Sequence, residues 1–122
     1  MNKLVKTVSN SDLYEEYLKS LNGILGLTDR ELELMATFCK LDVEYQKLPG
    51  LSKNVANTIN RKYILQNLKL TRDNLSRYIK RFKEAGLLQR GKVEDELIVN
   101  PILIPEIIGD RIQISIILKL KK

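Results

Sequence analysis

Leu13, Tyr17, Leu18 and Leu21 recur at the spacing of one helix face, and acidic Asp12, Glu15 and Glu16 crowd its start, where the helix dipole favours negative charge. The pattern predicts a first helix from about Ser11 to Leu25, preceded by the cap-forming run Ser9-Asn10-Ser11 and broken near Gly23 and Gly26. Thr28-Asp29-Arg30-Glu31 then has the spacing of a capping box. The Thr28 hydroxyl takes the Glu31 amide, and the Glu31 side chain reaches back. It opens a second helix to about Leu41, with Leu32, Met35, Phe38 and Cys39 on one face and Leu34 and Leu41 broadening it. Lys47 to Ser52 reads as a loop on its Pro49-Gly50 pair, and Ser52 to Ile59 as a short helical turn.

A second pair of helices follows. Asn60 is the expected cap of a helix through Leu68, which turns Ile64, Leu65 and Leu68 inward and leaves Arg61, Lys62, Gln66 and Asn67 outside. Lys69-Leu70 allows only a tight turn before Thr71 caps the next helix, whose Leu75, Tyr78, Ile79 and Phe82 form one face. Gly86 stops it by adopting the left-handed conformation. Leu87 to Arg90 and Val93 to Val99 then read as two strands joined at Gly91-Lys92, ending at Asn100-Pro101.

At the two ends of the chain the period changes. Ile112, Ile114, Ile116, Leu118 and Leu120 alternate with mostly polar residues, the pattern of a half-buried strand, and Lys3 to Val8 is a shorter β-tolerant stretch. A lone strand exposes unpaired backbone groups. The expected solutions are an intrachain sheet of the two terminal strands or a homodimer that pairs them across two copies.

Charge changes this picture. The whole chain of 122 residues carries a net charge of +6, but from Arg61 to Lys92 ten basic residues face only two acids, Asp73 and Glu84. The flanking segments are each slightly acidic, so this quarter of the chain holds more than the entire surplus. Once Leu75, Tyr78, Ile79 and Phe82 are given to the core, the opposite side of their helix shows Arg72, Asp73, Asn74, Ser76, Arg77, Lys80, Arg81 and Lys83. Arg donates two parallel hydrogen bonds to guanine, Asn pairs with adenine, and Ser and Lys reach phosphates or base edges. Arg90 and Lys92 add basic groups at the expected hairpin tip, whereas Glu94, Asp95 and Glu96 confine any phosphate contact to that tip.

Other chemistries find little support. The chain has no histidine, which removes His-based metal sites and His-activated nucleophiles. Cys39 is the single cysteine, so no intrachain disulfide forms, and its apolar neighbours mark it as a core residue. Asp42 with Glu44, and Glu94 to Glu96, lack the spacing of a cation-binding loop and read as solvated acids. The expectation is therefore a chain that is not an enzyme, with no cofactor and no metal. No apolar run approaches the ~18 residues that span a bilayer, and the first residues lack the apolar core of a signal peptide, so the expected location is the cytoplasm, with no membrane partner.

The run from Tyr63 to Leu88, YILQNLKLTRDNLSRYIKRFKEAGLL, resembles the core of small bacterial and phage winged-helix regulators and replication proteins. In that group a short helix is followed by a Leu before a Ser or Thr cap, a Ser-Arg-hydrophobic stretch and a terminal Gly-Leu-Leu or Gly-Leu-Ile. Leu70 matches the buried turn residue, Thr71 the cap, Leu75 and Ile79 the inward positions and Gly86 the stop. Arg72, Asp73, Ser76, Arg77 and Lys80 match positions that commonly face DNA. Tyr63 and Ile64 depart from the small residue often found early in the first helix of the pair.

The resemblance implies an α+β fold, a single winged helix-turn-helix domain over residues 1–122. Its helix-turn-helix spans 60–86 and its wing 87–100, with an added N-terminal strand and helix and a C-terminal strand at 110–121. It implies duplex DNA binding, most simply as a transcriptional regulator. The DNA-binding set is Thr71, Arg72, Asp73, Asn74, Ser76, Arg77, Lys80, Arg81 and Lys83 on the helix, with Arg90 and Lys92 on the wing. The alternative is an adaptor in a phage or replication assembly that uses the same fold for protein contacts.

Overall fold

Ser9 begins a 3₁₀ turn at Asn10–Asp12, which runs into helix α1, Leu13–Leu25. Gly23 is carried inside the helix. Gly26, at φ 66°, ends it by donating its amide to the Asn22 carbonyl. The computed structural model describes residues 3–45, 53–93 and 96–121. Helix α2, Asp29–Tyr45, starts on the expected capping box: the Glu31 amide donates to Thr28 Oγ1 at 3.2 Å and the Thr28 amide to Glu31 Oε1 at 2.9 Å. It runs past Leu41, and Leu32, Leu34, Met35, Phe38 and Cys39 are all buried. The expected loop of Lys47 to Ser52 lies outside the described residues.

Helix α3, Thr58–Leu68, begins earlier than the sequence suggests. Asn57, not Asn60, is its cap, accepting the Asn60 amide at 2.8 Å. The cause lies just upstream, where a bridge at Asn54 precedes a single turn that returns the Asn57 amide to the Asn54 carbonyl at 3.2 Å. The Val55 amide donates to the Leu97 carbonyl at 3.0 Å and the Leu97 amide to the Lys53 carbonyl at 2.9 Å, forming a parallel bridge at Asn54. That bridge fixes the chain where it enters α3 and buries Val55 and Ala56.

Residues 69–71 join α3 to helix α4, Arg72–Glu84, with Lys69 in the left-handed region at φ 52°. Thr71 caps α4 as expected, its Oγ1 accepting the Asn74 amide at 3.2 Å. Leu75, Ile79 and Phe82 are buried, and Phe82 is the hinge of the packing. It meets Phe38 of α2 edge-on, with ring centroids 6.4 Å apart, and stacks against Tyr78 at 6.2 Å. Gly86, at φ 76°, lets the Leu87 amide return to the Phe82 carbonyl at 2.9 Å and turns the chain into a hairpin.

Strand β1, Leu88–Arg90, pairs antiparallel with β2, Leu97–Val99, with Leu88 opposite Val99 and Arg90 opposite Leu97. The second strand therefore starts four residues later than expected, and the connection spans 91–96 rather than two residues. Gly91 sits so close to Glu96 that an added Cβ would lie 2.6 Å from the Glu96 Cβ, a contact that only glycine avoids.

Asp42 locks this hairpin to the helices. Although it reads as a solvated acid in the sequence, it is 1% exposed. Its carboxylate accepts the Val99 amide at 2.9 Å and pairs with Lys53 at 2.7 Å. After β2, a 3₁₀ turn at Pro101–Leu103 returns to α1 and α2 and buries Leu103. There the Tyr17 hydroxyl donates to the Ile102 carbonyl at 3.1 Å. Cys39 is buried beneath this turn, and burial, with the Asp42 charge adding to it, pushes its thiol up to about 12.

The terminal strands are not formed as expected. Lys3 to Val8 has no regular secondary structure, and its Lys6 pairs with Glu16 of α1 at 2.7 Å. In place of a strand over 110–121, the chain makes a short hairpin of β3, Ile107–Ile108, and β4, Arg111–Ile112, turning at Gly109 with φ 64°. Residues 113–121 continue without regular structure. Among the described residues the intrachain terminal sheet is thus absent: alternation favours a strand but supplies no partner. The described residues form a small α+β arrangement of four helices and two short antiparallel hairpins.

Candidate nucleic-acid interface

The candidate surface is the side of α4 turned away from Leu75, Ile79 and Phe82. A helix turns once in about 3.6 residues, so Asp73, Arg77, Lys80 and Glu84 stand opposite the core, with Asn74 and Arg81 on one flank and Arg72, Ser76 and Lys83 on the other. All nine are exposed, as is the cap Thr71. Asn74, Arg77, Tyr78, Lys80, Arg81 and Glu84 line one open, shallow depression. Arg81 and Lys83 lie in the last turn, where cations meet the negative end of the helix dipole.

This stripe is held rigidly because its reverse side is core. The Thr71 cap fixes the first turn, the three buried residues fix the middle, and the Gly86 reversal fixes the end. Asn100 reinforces that end, its side chain donating to the Gly86 carbonyl at 3.0 Å and its amide to the Leu87 carbonyl at 2.9 Å.

Basic groups outside α4 divide into tethered and extended ones. The Arg61 Nε donates to the Ala56 carbonyl at 2.7 Å, so its guanidinium is held against its own helix start. Lys62 and Lys69 are exposed, near the start and at the end of the same helix. Arg90 and Lys92 are exposed too, but Arg90 belongs to the paired part of β1 and only Lys92 belongs to the connection. That connecting sequence also contains Glu94, Asp95 and Glu96 and is acidic in balance. The Glu96 carboxylate accepts the Val93 amide at 3.4 Å, and residues 94 and 95 lie outside the described residues.

Among the described residues, Arg81 is the one member of the expected DNA-contacting set whose side chain is engaged by an acid from another element. Its Nη1 lies 3.2 Å from Oε2 of Glu31, which is 1% exposed, while the arginine side chain itself is 66% exposed. No hydrogen bond of normal geometry reaches that carboxylate oxygen, so the Arg81 charge is what balances it. Sequence spacing gave no sign of this pair, because its members lie on different helices and the capping role of Glu31 already accounts for it.

No group of three or more His, Cys, Asp or Glu side chains suited to a metal is present among the described residues, and none of their helices is long and apolar enough to cross a membrane. The chain matches no family model, no curated protein and no solved structure.

Proposed function

We propose that this protein binds duplex DNA as a winged helix-turn-helix, with α3 as the positioning helix, α4 as the reading helix in the major groove and the β1–β2 hairpin as a short wing. The observation that carries the reading is the coincidence of two independent features. The surplus positive charge lies between Arg61 and Lys92, and within that segment Arg72, Arg77, Lys80 and Lys83 project from the exposed side of a helix whose other side is core. A rigid helix with exposed Arg, Asn and Ser has the width and donor set for base edges, and its cations neutralise flanking phosphates. The wing contributes less than the helix, because its connection is acidic in balance.

Selection of bound fragments from random duplex DNA at fixed salt tests this directly. A common sequence should emerge, and Arg77→Ala should weaken binding to it by about 1–3 kcal/mol if Arg77 reads a base. Recovery of the input pool unchanged would reject sequence-selective binding.

For assembly we propose a homodimer that pairs the segment after Pro105 across two copies. Ile107, Ile108, Ile117, Leu118 and Leu120 are exposed, and the alternation from Ile112 to Leu120 is suited to mutual strand pairing. Solution mass should show a dimer that a chain shortened at Asp110 does not form. A strictly monomeric parent would reject it.

A further inference from the structure

Two neighbouring residues at the start of α2 hold both helices of the α3–α4 pair. The Arg30 guanidinium donates to the carbonyl of Leu68, the last residue of α3, and is steadied by Glu33 at 3.2 Å. Glu31 faces the other way along the pair. One carboxylate oxygen closes the capping box on the Thr28 amide at 2.9 Å, and the other stands 3.2 Å from Arg81 in the last turn of α4. The stretch from 68 to 81, which contains the interhelical turn and most of α4, is therefore pinned at both ends to one dipeptide of α2.

The two ends differ in kind. Arg30 satisfies a helix-terminal carbonyl that has no partner within α3. Glu31 is a buried carboxylate fixed by its own cap, so the position of its second oxygen is set by α2 and not by α4. A buried charge left without its counter-charge is strongly unfavourable. Arg81 is drawn to that fixed point, and α4 with it.

We propose that Arg81 is a positioning residue and not one of the phosphate contacts: with Arg30 and Glu31 it sets the angle at which α4 presents Asn74, Arg77 and Lys80, and so sets the selectivity of duplex binding. This rests on the DNA reading above. The charges of Arg81 and Glu31 cancel, so the pair releases no counterion from DNA. Arg81 shares its flank of the helix with Asn74, beside the side that carries Arg77 and Lys80.

The test compares the parent, Glu31→Gln, Arg81→Gln and the double variant. Each is titrated over a salt series with one duplex recovered by selection and with one of random sequence. The selected-to-random affinity ratio should fall about tenfold or more in each single variant, the size of losing one base-pair discrimination. The salt slope should stay at the parent value. The double variant should lose no more than either single one, because both act through one contact. Arg81→Lys, which keeps the counter-charge, should retain most of the selectivity.

A drop of about one in the salt slope for Arg81→Gln, with the ratio unchanged, would make Arg81 a phosphate contact and overturn the proposal. Denaturant midpoints identify any variant that is merely unfolded, and Arg81→Lys, with its charge in place, then carries the comparison. Loss of selectivity there to the level of a random duplex counts against the proposal. If the parent binds neither duplex, the DNA reading itself fails, an outcome distinct from a parent that binds while Arg81→Gln loses only slope.

Discussion

Replacing Arg72, Arg77 and Lys80 together with alanine is expected to weaken duplex binding by about 3 kcal/mol or more, over about a hundredfold in affinity. The three lie on the exposed side of α4, and none has a salt-bridge or hydrogen-bonded side-chain partner among the described residues, so their removal subtracts charge and donors without opening the core. Thermal unfolding should change little, since exposed substitutions away from caps and pairs rarely exceed about 0.5 kcal/mol. Affinity measured by fluorescence anisotropy, beside an unfolding curve, separates the two effects. Equal affinity of parent and triple variant would exclude this side of α4 as the DNA-docking surface.

The second large effect falls on stability. Phe82→Ala should cost about 3–5 kcal/mol, a large share of the ~5–15 kcal/mol that holds a small domain together. Phe82 is fully buried, meets Phe38 of α2 edge-on and stacks on Tyr78 of its own helix. Its loss leaves a cavity at the seam between α2 and α4, where the backbone is already committed by the Gly86 reversal on the Phe82 carbonyl. Urea unfolding measures the change. A loss below about 1 kcal/mol would mean that the seam closes over the gap and that Phe82 is not what joins the helices.

Local signals in the sequence determine structure where they are complete in themselves. The Thr28–Glu31 box, the Thr71 cap and the Leu75, Tyr78, Ile79 and Phe82 spacing each contain both partners of the interaction within a few residues, and all three appear in the structure. Structure departs from the local pattern where the deciding partner is distant. Asn57 and Asn60 are equally good cap residues, and the choice between them is made by the bridge from Asn54 to Leu97. Asp42 reads as a surface acid until Lys53 and the Val99 amide close around it.

The same reasoning explains the ends of the chain. A period of two in Ile112 to Leu120 specifies which residues share a face but not which strand lies alongside, and in this structure only Arg111–Ile112 is paired. The exposed face of α4 was legible because exposure follows from the period. What the period could not separate was Arg81 from its neighbours, since a buried acid fifty positions away leaves no trace in local spacing.

In the proposed function, exposed cations of α4 bind DNA phosphates and bases. The most direct measurement is the affinity of the parent protein for a short duplex at about 50 and about 200 mM salt. Four phosphate contacts predict a loss of at least about a hundredfold between these conditions. An affinity that changes less than about threefold, or no measurable binding at the lower salt, would contradict it.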